Sequence, residues 1–186
     1  RAAGEPLAYL TGHKAFYGLS LKVDARVLDP RPDTETLVDW ALSLMPEQVA
    51  CEVLDMGTGS GAIALALQHT RPQARLSALD ASADALAVAR ANGERLGLPV
   101  RWLHSDWFSA VPERFDLIVS NPPYIREGDP HLPALRHEPT QALTSGADGL
   151  DAIRTLVAQA PQHLRPGGWL LLEHGWDQAQ AVRTLL

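Results

Sequence analysis

The sequence predicts an α/β fold, a doubly wound and mostly parallel sheet with helices on both faces, preceded by a short β-hairpin. Three observations carry that reading. From residue 52 onward, short strand patterns alternate with amphipathic helix patterns across short connections. Glycine, acidic and amide residues fall at the ends of those strands, where ligands bind in open α/β sheets. A chain of 186 residues with 46% apolar and 20% charged side chains is also long enough to bury a full core.

Each element has its own signal. Residues 1–30 are irregular apart from a hairpin expected around Phe16-Tyr17-Gly18 and Leu21-Lys22-Val23. Pro30-Arg31-Pro32-Asp33 then stops the chain, and Asp33 is placed to cap a helix with apolar positions Leu37, Ala41, Leu42 and Met45. Strand Val53–Met56 leads to helix Ala62–His69, and strand Leu76–Asp80 to a helix from about Ser82 to Leu96. Val100–Leu103 and Phe115–Ser120 are the third and fourth strands. A helix over Leu150–Leu164 buries Ile153, Leu156, Val157 and Ala160, is ended by Arg165-Pro166-Gly167-Gly168, and precedes a fifth strand, Trp169–Glu173. Two regions result, an N-terminal segment 1–30 and a sheet-bearing domain 31–186.

Composition excludes several classes. Sixteen basic against twenty-two acidic side chains give a formal charge of −6, which disfavours a broad nucleic-acid footprint. The single cysteine, Cys51, allows no internal disulfide and reads as a small apolar residue before a strand, in keeping with a reducing, cytoplasmic setting. No apolar run approaches membrane-spanning length, so no membrane partner is expected. His131, His137 and Glu138 lack the spacing of a metal site, and no metal is expected.

The first strand runs into Gly57-Thr58-Gly59-Ser60-Gly61, where glycines let backbone approach a ligand closely. Taken alone, Gly57, Gly59 and Ala62 also match a dinucleotide-binding fingerprint, and a tight turn with no ligand is the plainer alternative. Asp80 closes the second strand, where a carboxylate accepts from ribose hydroxyls. After the third strand, Asp106 is placed to accept from an exocyclic adenine amine and Trp107 to pack on the base. Turn-capping aspartates and a core tryptophan fit each residue singly; three consecutive strand ends of this kind favour a nucleoside. Asn121-Pro122-Pro123-Tyr124 follows the fourth strand. Two prolines present carbonyl acceptors without amide donors, so the loop suits holding an NH2 group by its hydrogens.

Together, Asp55-x-Gly57-Thr58-Gly59-Ser60-Gly61, Asp80, Asp106 and Asn121–Tyr124 resemble a class I S-adenosylmethionine-dependent methyltransferase, with its Rossmann-like sheet. More closely, Glu5–Gly12, Pro30-Arg31-Pro32-Asp33-Thr34-Glu35, Ser105–Phe108, Ile125 and Leu171–Gly175 are similar to the HemK/PrmC family. The resemblance implies methylation of the glutamine side-chain amide in the Gly-Gly-Gln loop of peptide-chain release factors. Its cofactor is S-adenosyl-L-methionine, with S-adenosyl-L-homocysteine as product. Gly57, Thr58, Gly59, Ser60, Gly61, Asp80, Asp106, Trp107 and Asn121 would bind the cofactor. Asn121, Pro122, Pro123 and Tyr124 would bind substrate, with the Asn121 oxygen and Pro122 carbonyl as catalytic acceptors for the two amide hydrogens. Arg31 and Glu35 would help close the site, although a helix start explains Glu35 equally well.

The family pattern also implies an N-terminal helical domain before residue 1, two further strands beyond Trp176, and a slightly longer stretch at Asp129–Pro139. A monomer without stable nucleic acid is expected. Two other functions compete: methylation of an exocyclic amine of DNA or RNA, and a nicotinamide-dependent dehydrogenase. The second leaves Asn121–Tyr124 without a purpose.

Overall fold

The computed structural model describes residues 4–186; residues 1–3 of the expected N-terminal segment lie outside the described residues. The first element, α1 (Leu7–Thr11), occupies a stretch with no helix signal and stops at Gly12, which takes a left-handed conformation with φ 72°. The hairpin follows as β1 (His13–Phe16) and β2 (Leu19–Lys22), paired antiparallel around Tyr17-Gly18. Its buried Phe16, Leu19 and Leu21 join the main core, so this segment packs with the sheet domain.

Asp33 does not cap the next helix. Arg31 is the extended residue before the turn, and a 3-10 turn over Pro32–Thr34 runs straight into α2 (Glu35–Leu44) with no side-chain cap bond. Asp33 is therefore already inside the helical path, two positions past the cap at Arg31.

The central elements are β3 (Glu52–Met56), α3 (Ala62–Thr70), β4 (Arg75–Asp80), α4 (Ala83–Leu96), β5 (Val100–His104), β6 (Phe115–Ser120), α5 (Asp151–His163), β7 (Leu164–Leu172) and α6 (Ala179–Leu185). Five parallel strands form one sheet in the order β5-β4-β3-β6-β7. The chain leaves β3 toward one edge and returns beside it with β6, which makes the β3/β6 boundary the switch point. Alternation along the strands covers both faces. Val53, Leu117 and Val119 face a cluster with α2 and α3, whereas Leu54, Met56 and Ile118 face Phe108, Leu156 and Ala160.

β7 begins earlier than its sequence suggests. Phe115 pairs with Leu164 and Leu117 with Trp169, so Arg165–Gly168 is a bulge within the strand rather than a turn before it. Gly167 supplies the left-handed residue of that bulge at φ 80°. Helix α4 follows the expected grammar, with the Ser82 hydroxyl accepting from the Ala85 amide at 3.2 Å and left-handed Gly97 at its end. Among the described residues, no helix is long and apolar enough to cross a membrane.

Candidate active site

Sheet register builds the site. Met56 lies level with Leu79 on one side and Ser120 on the other, so Gly57, Asp80 and Asn121 emerge in one row. Asp80 itself pairs with His104, which brings Ser105 and Asp106 next along the same edge.

The glycine turn is held from below. Fully buried Asp55 accepts from the Thr58 hydroxyl at 2.6 Å and the Ala64 amide at 3.2 Å, both through Oδ2. Its other oxygen has no partner among the described residues, and burial pushes the carboxyl from 3.8 up to about 7. Asn92 of α4, also fully buried, donates to the Ser60 and Lys22 carbonyls at 3.0 Å each and accepts from the Lys22 amide at 2.7 Å. One amide thus ties turn and hairpin together. At Gly61, φ is 85° and a Cβ would lie 3.0 Å from Leu65 and 3.2 Å from Trp102, so glycine is required. Gly57 and Gly59 are different. Both are left-handed, at φ 69° and 56°, and a Cβ on either would meet open space. That space is where a ligand can approach the backbone.

The open side belongs to a cavity of about 430 Å³ lined by Gly57, Gly59, Asp80, Asp106, Trp107, Asn121 and Pro123. Its size suits a nucleoside-sized ligand. Asp80 accepts from the Gly59 amide with one oxygen and the Ser82 amide with the other, each at 2.9 Å. Each carboxylate oxygen keeps a second lone pair for a hydroxyl. Asp106 is exposed at the rim, and no described donor reaches its carboxylate. Trp107 sits half-buried beside it with φ 46°, a conformation uncommon for a bulky residue. The lining fits a nucleoside cofactor in kind: open glycine backbone, a strand-end carboxylate with lone pairs to spare, and an exposed carboxylate beside a half-buried indole. Thr58, Ser60 and Gly61 do not line the cavity. Thr58 turns its hydroxyl inward to Asp55, and all three shape the turn from behind.

A second cavity, of about 480 Å³, opens on the other side of the Asn-Pro-Pro-Tyr loop. Pro122, Tyr124 and Arg31 line it, and Asn121 lines both cavities. The Asn121 amide nitrogen donates to the Thr34 hydroxyl at 3.1 Å, and its oxygen has no partner among the described residues. The Pro122 carbonyl likewise accepts from no described donor. Tyr124 donates to Glu173 at 3.1 Å, and its phenol is pushed up to about 12 by burial and by that carboxylate. It therefore stays neutral near pH 7 and serves as a wall. Leu143 accepts from the Ile125 amide and Gln178 donates to the Tyr124 carbonyl, so the loop is fixed on both flanks.

Arg31 reaches this second wall and pairs with buried Glu138 at 2.5 Å, while Glu138 also accepts from the Asp29 amide. Glu35 lines neither cavity; it accepts from the Tyr17 amide at 2.8 Å and steadies the hairpin turn. The sequence carried no local signal for the Asn92 tie or the Arg31–Glu138 pair, which are contacts across 70 and 107 positions. Asp55 stands in the glycine motif, but its service as a buried anchor for Thr58 and Ala64 shows only in the structure.

A family model described as "Methyltransferase small domain" matches residues 34–145. Over its full length the chain is 56% identical to a Xylella fastidiosa protein named release factor glutamine methyltransferase and covers 69% of it. It is 49% identical to an Escherichia coli protein of the same name, with 98% of this chain and 67% of that protein aligned. Among solved structures, a Pyrococcus furiosus methyltransferase matches the fold with TM-score 0.67 at 21% identity, covering 92% of this chain and 78% of that one. A Thermus thermophilus 16S rRNA methyltransferase, solved with AdoMet and guanosine, matches with TM-score 0.61 at 27% identity, covering 86% of this chain and 40% of that one.

Proposed function

The chain belongs to the release factor glutamine methyltransferase family, and from that premise we propose how its residues methylate the glutamine amide of a Gly-Gly-Gln loop. Gly57, Gly59, Asp80, Asp106 and Trp107 would hold S-adenosylmethionine in the first cavity, with the glycines toward its amino-acid end, Asp80 toward ribose and Asp106 and Trp107 toward adenine. Once bound, it would supply a methyl carbon already activated by its sulfonium. The protein then has to orient a weak nucleophile, because a carboxamide nitrogen shares its lone pair with its carbonyl. Asn121 Oδ1 and the Pro122 carbonyl accept the two amide hydrogens of a glutamine entering from the second cavity. Held this way, the nitrogen faces the first cavity and its N–H bonds are polarised. Pro122 and Pro123 keep the acceptors in place at little entropic cost, and the Tyr124 wall excludes water. A neutral asparagine does this without burying a charge.

The observation that carries this reading is the position of Asn121 between two cavities, with one amide hydrogen given to Thr34 and its oxygen without a partner among the described residues. The same loop would also hold an exocyclic base amine, and the likeness to an rRNA methyltransferase keeps that acceptor in view. Net charge −6 weighs against it. Incubation with labelled S-adenosylmethionine should label a peptide-chain release factor at its Gly-Gly-Gln glutamine and leave RNA and DNA unlabelled. Label on nucleic acid, or on release factor whose loop glutamine has been replaced, would overturn the assignment.

A further inference from the structure

We infer that Thr34 is a positioning residue that anchors the Asn121 amide where it meets the substrate. The inference rests on the function proposed above and adds the residue that makes it work. Thr34 is buried, at 4% exposure, and its hydroxyl receives the Asn121 Nδ2 hydrogen at 3.1 Å across 87 positions of sequence. A threonine at a helix start ordinarily spends its oxygen on the helix's own amides. This one does not. Its backbone is already helical, at φ −64° and ψ −19°, and it makes no cap bond. Its oxygen serves the loop at the end of β6.

The need for such a partner follows from amide chemistry. Asparagine's terminal torsion is broad and roughly two-fold, so a half-turn exchanges oxygen and nitrogen with little change in shape. The two ends are opposite in function. An oxygen toward the cavities accepts a substrate N–H, whereas an NH2 there presents hydrogens to hydrogens. With Nδ2 on Thr34, the oxygen is left for substrate at a residue that lines both cavities. The hydroxyl can donate as well as accept, so Thr34 anchors the amide and the substrate N–H groups select its oxygen end. Thr34 lies one turn beyond Arg31, which lines the second cavity, so one short segment both walls that cavity and anchors Asn121.

Thr34→Val keeps the shape of threonine and removes the oxygen. It should lower kcat about 10- to 100-fold, the scale of a misplaced catalytic group. Affinity for S-adenosylhomocysteine, read by calorimetry, and the urea midpoint should stay near wild type. Thr34→Ser, which restores the oxygen, should recover most of the kcat loss; a merely structural role gives no reason for that recovery. Thr34→Ala is the second variant should valine prevent folding, and its kcat should also fall. The inference is overturned by wild-type kcat in a folded Val or Ala variant, by Ser as impaired as Val, or by a loss of cofactor affinity that matches the loss of kcat. An active Asn121→Ala would instead sink the underlying reading. A dead Asn121→Ala beside an unimpaired Thr34→Val would sink only this inference.

Discussion

Asn121→Ala should lower kcat at least about 10²- to 10³-fold, the cost of removing one preorganised electrostatic contact, while affinity for S-adenosylmethionine changes little. Its oxygen is offered to a substrate hydrogen whose polarity rises as nitrogen gains positive character, so the contact strengthens toward the transition state. Loss of such a contact lowers kcat and kcat/KM together and leaves KM for the release factor close to its starting value. Although Asn121 lines the first cavity, most of the contacts expected to hold the cofactor come from Asp80, Asp106 and Trp107 on other strand ends and are kept in the variant. Single-turnover transfer and calorimetry on the same preparation separate the two effects. A loss of cofactor affinity as severe as the loss of turnover would assign Asn121 to the wrong side of the junction.

Asp80→Ala should do the reverse and weaken cofactor binding first. Removing hydrogen bonds to a charged acceptor costs about 1.5–3 kcal/mol each, so two lost ribose contacts predict a rise in the dissociation constant of about 10²-fold or more. A second loss compounds it. Asp80 also holds the Gly59 amide at 2.9 Å, and the alanine variant frees the backbone that faces the ligand. Asp80→Asn retains one side-chain acceptor and should fall between the two. At saturating S-adenosylmethionine, Asp80→Ala should regain much of its turnover. An unchanged dissociation constant would remove Asp80 from the ribose.

The contrast between these variants shows what was legible in the sequence. Strand ends carried the information, because parallel strands of nearly equal length bring their carboxyl ends level. Asp80, Asp106 and Asn121 could be read as neighbours once β3, β4, β5 and β6 were recognised by their apolar runs. Phe115–Ser120 needed no correction, being short, apolar and bounded by turn residues. Contacts set by packing were not legible. Nothing local distinguishes Asn92 from any polar residue on α4, and its role depends on a hairpin seventy positions away. Asp33 shows the opposite failure: the cap pattern was present, but Pro32 started the 3-10 turn one residue earlier and made it redundant. Thr58 and Ser60 alternate with glycines that face the cavity, so the Thr58 hydroxyl turns inward to Asp55 and Ser60 is buried behind the turn. The bulge at Arg165–Gly168 reads as a stop signal because glycines that bend a strand look like glycines that end a helix.

The grip on the glutamine is tested most directly by the structure of this protein with S-adenosylhomocysteine and a release-factor loop bound together. The account predicts the glutamine nitrogen about 2.7–3.2 Å from both Asn121 Oδ1 and the Pro122 carbonyl oxygen, with the sulfur on the Gly57–Gly59 side. A glutamine amide anchored elsewhere, or an Asn121 oxygen turned to Thr34 with its nitrogen toward the substrate, would contradict it.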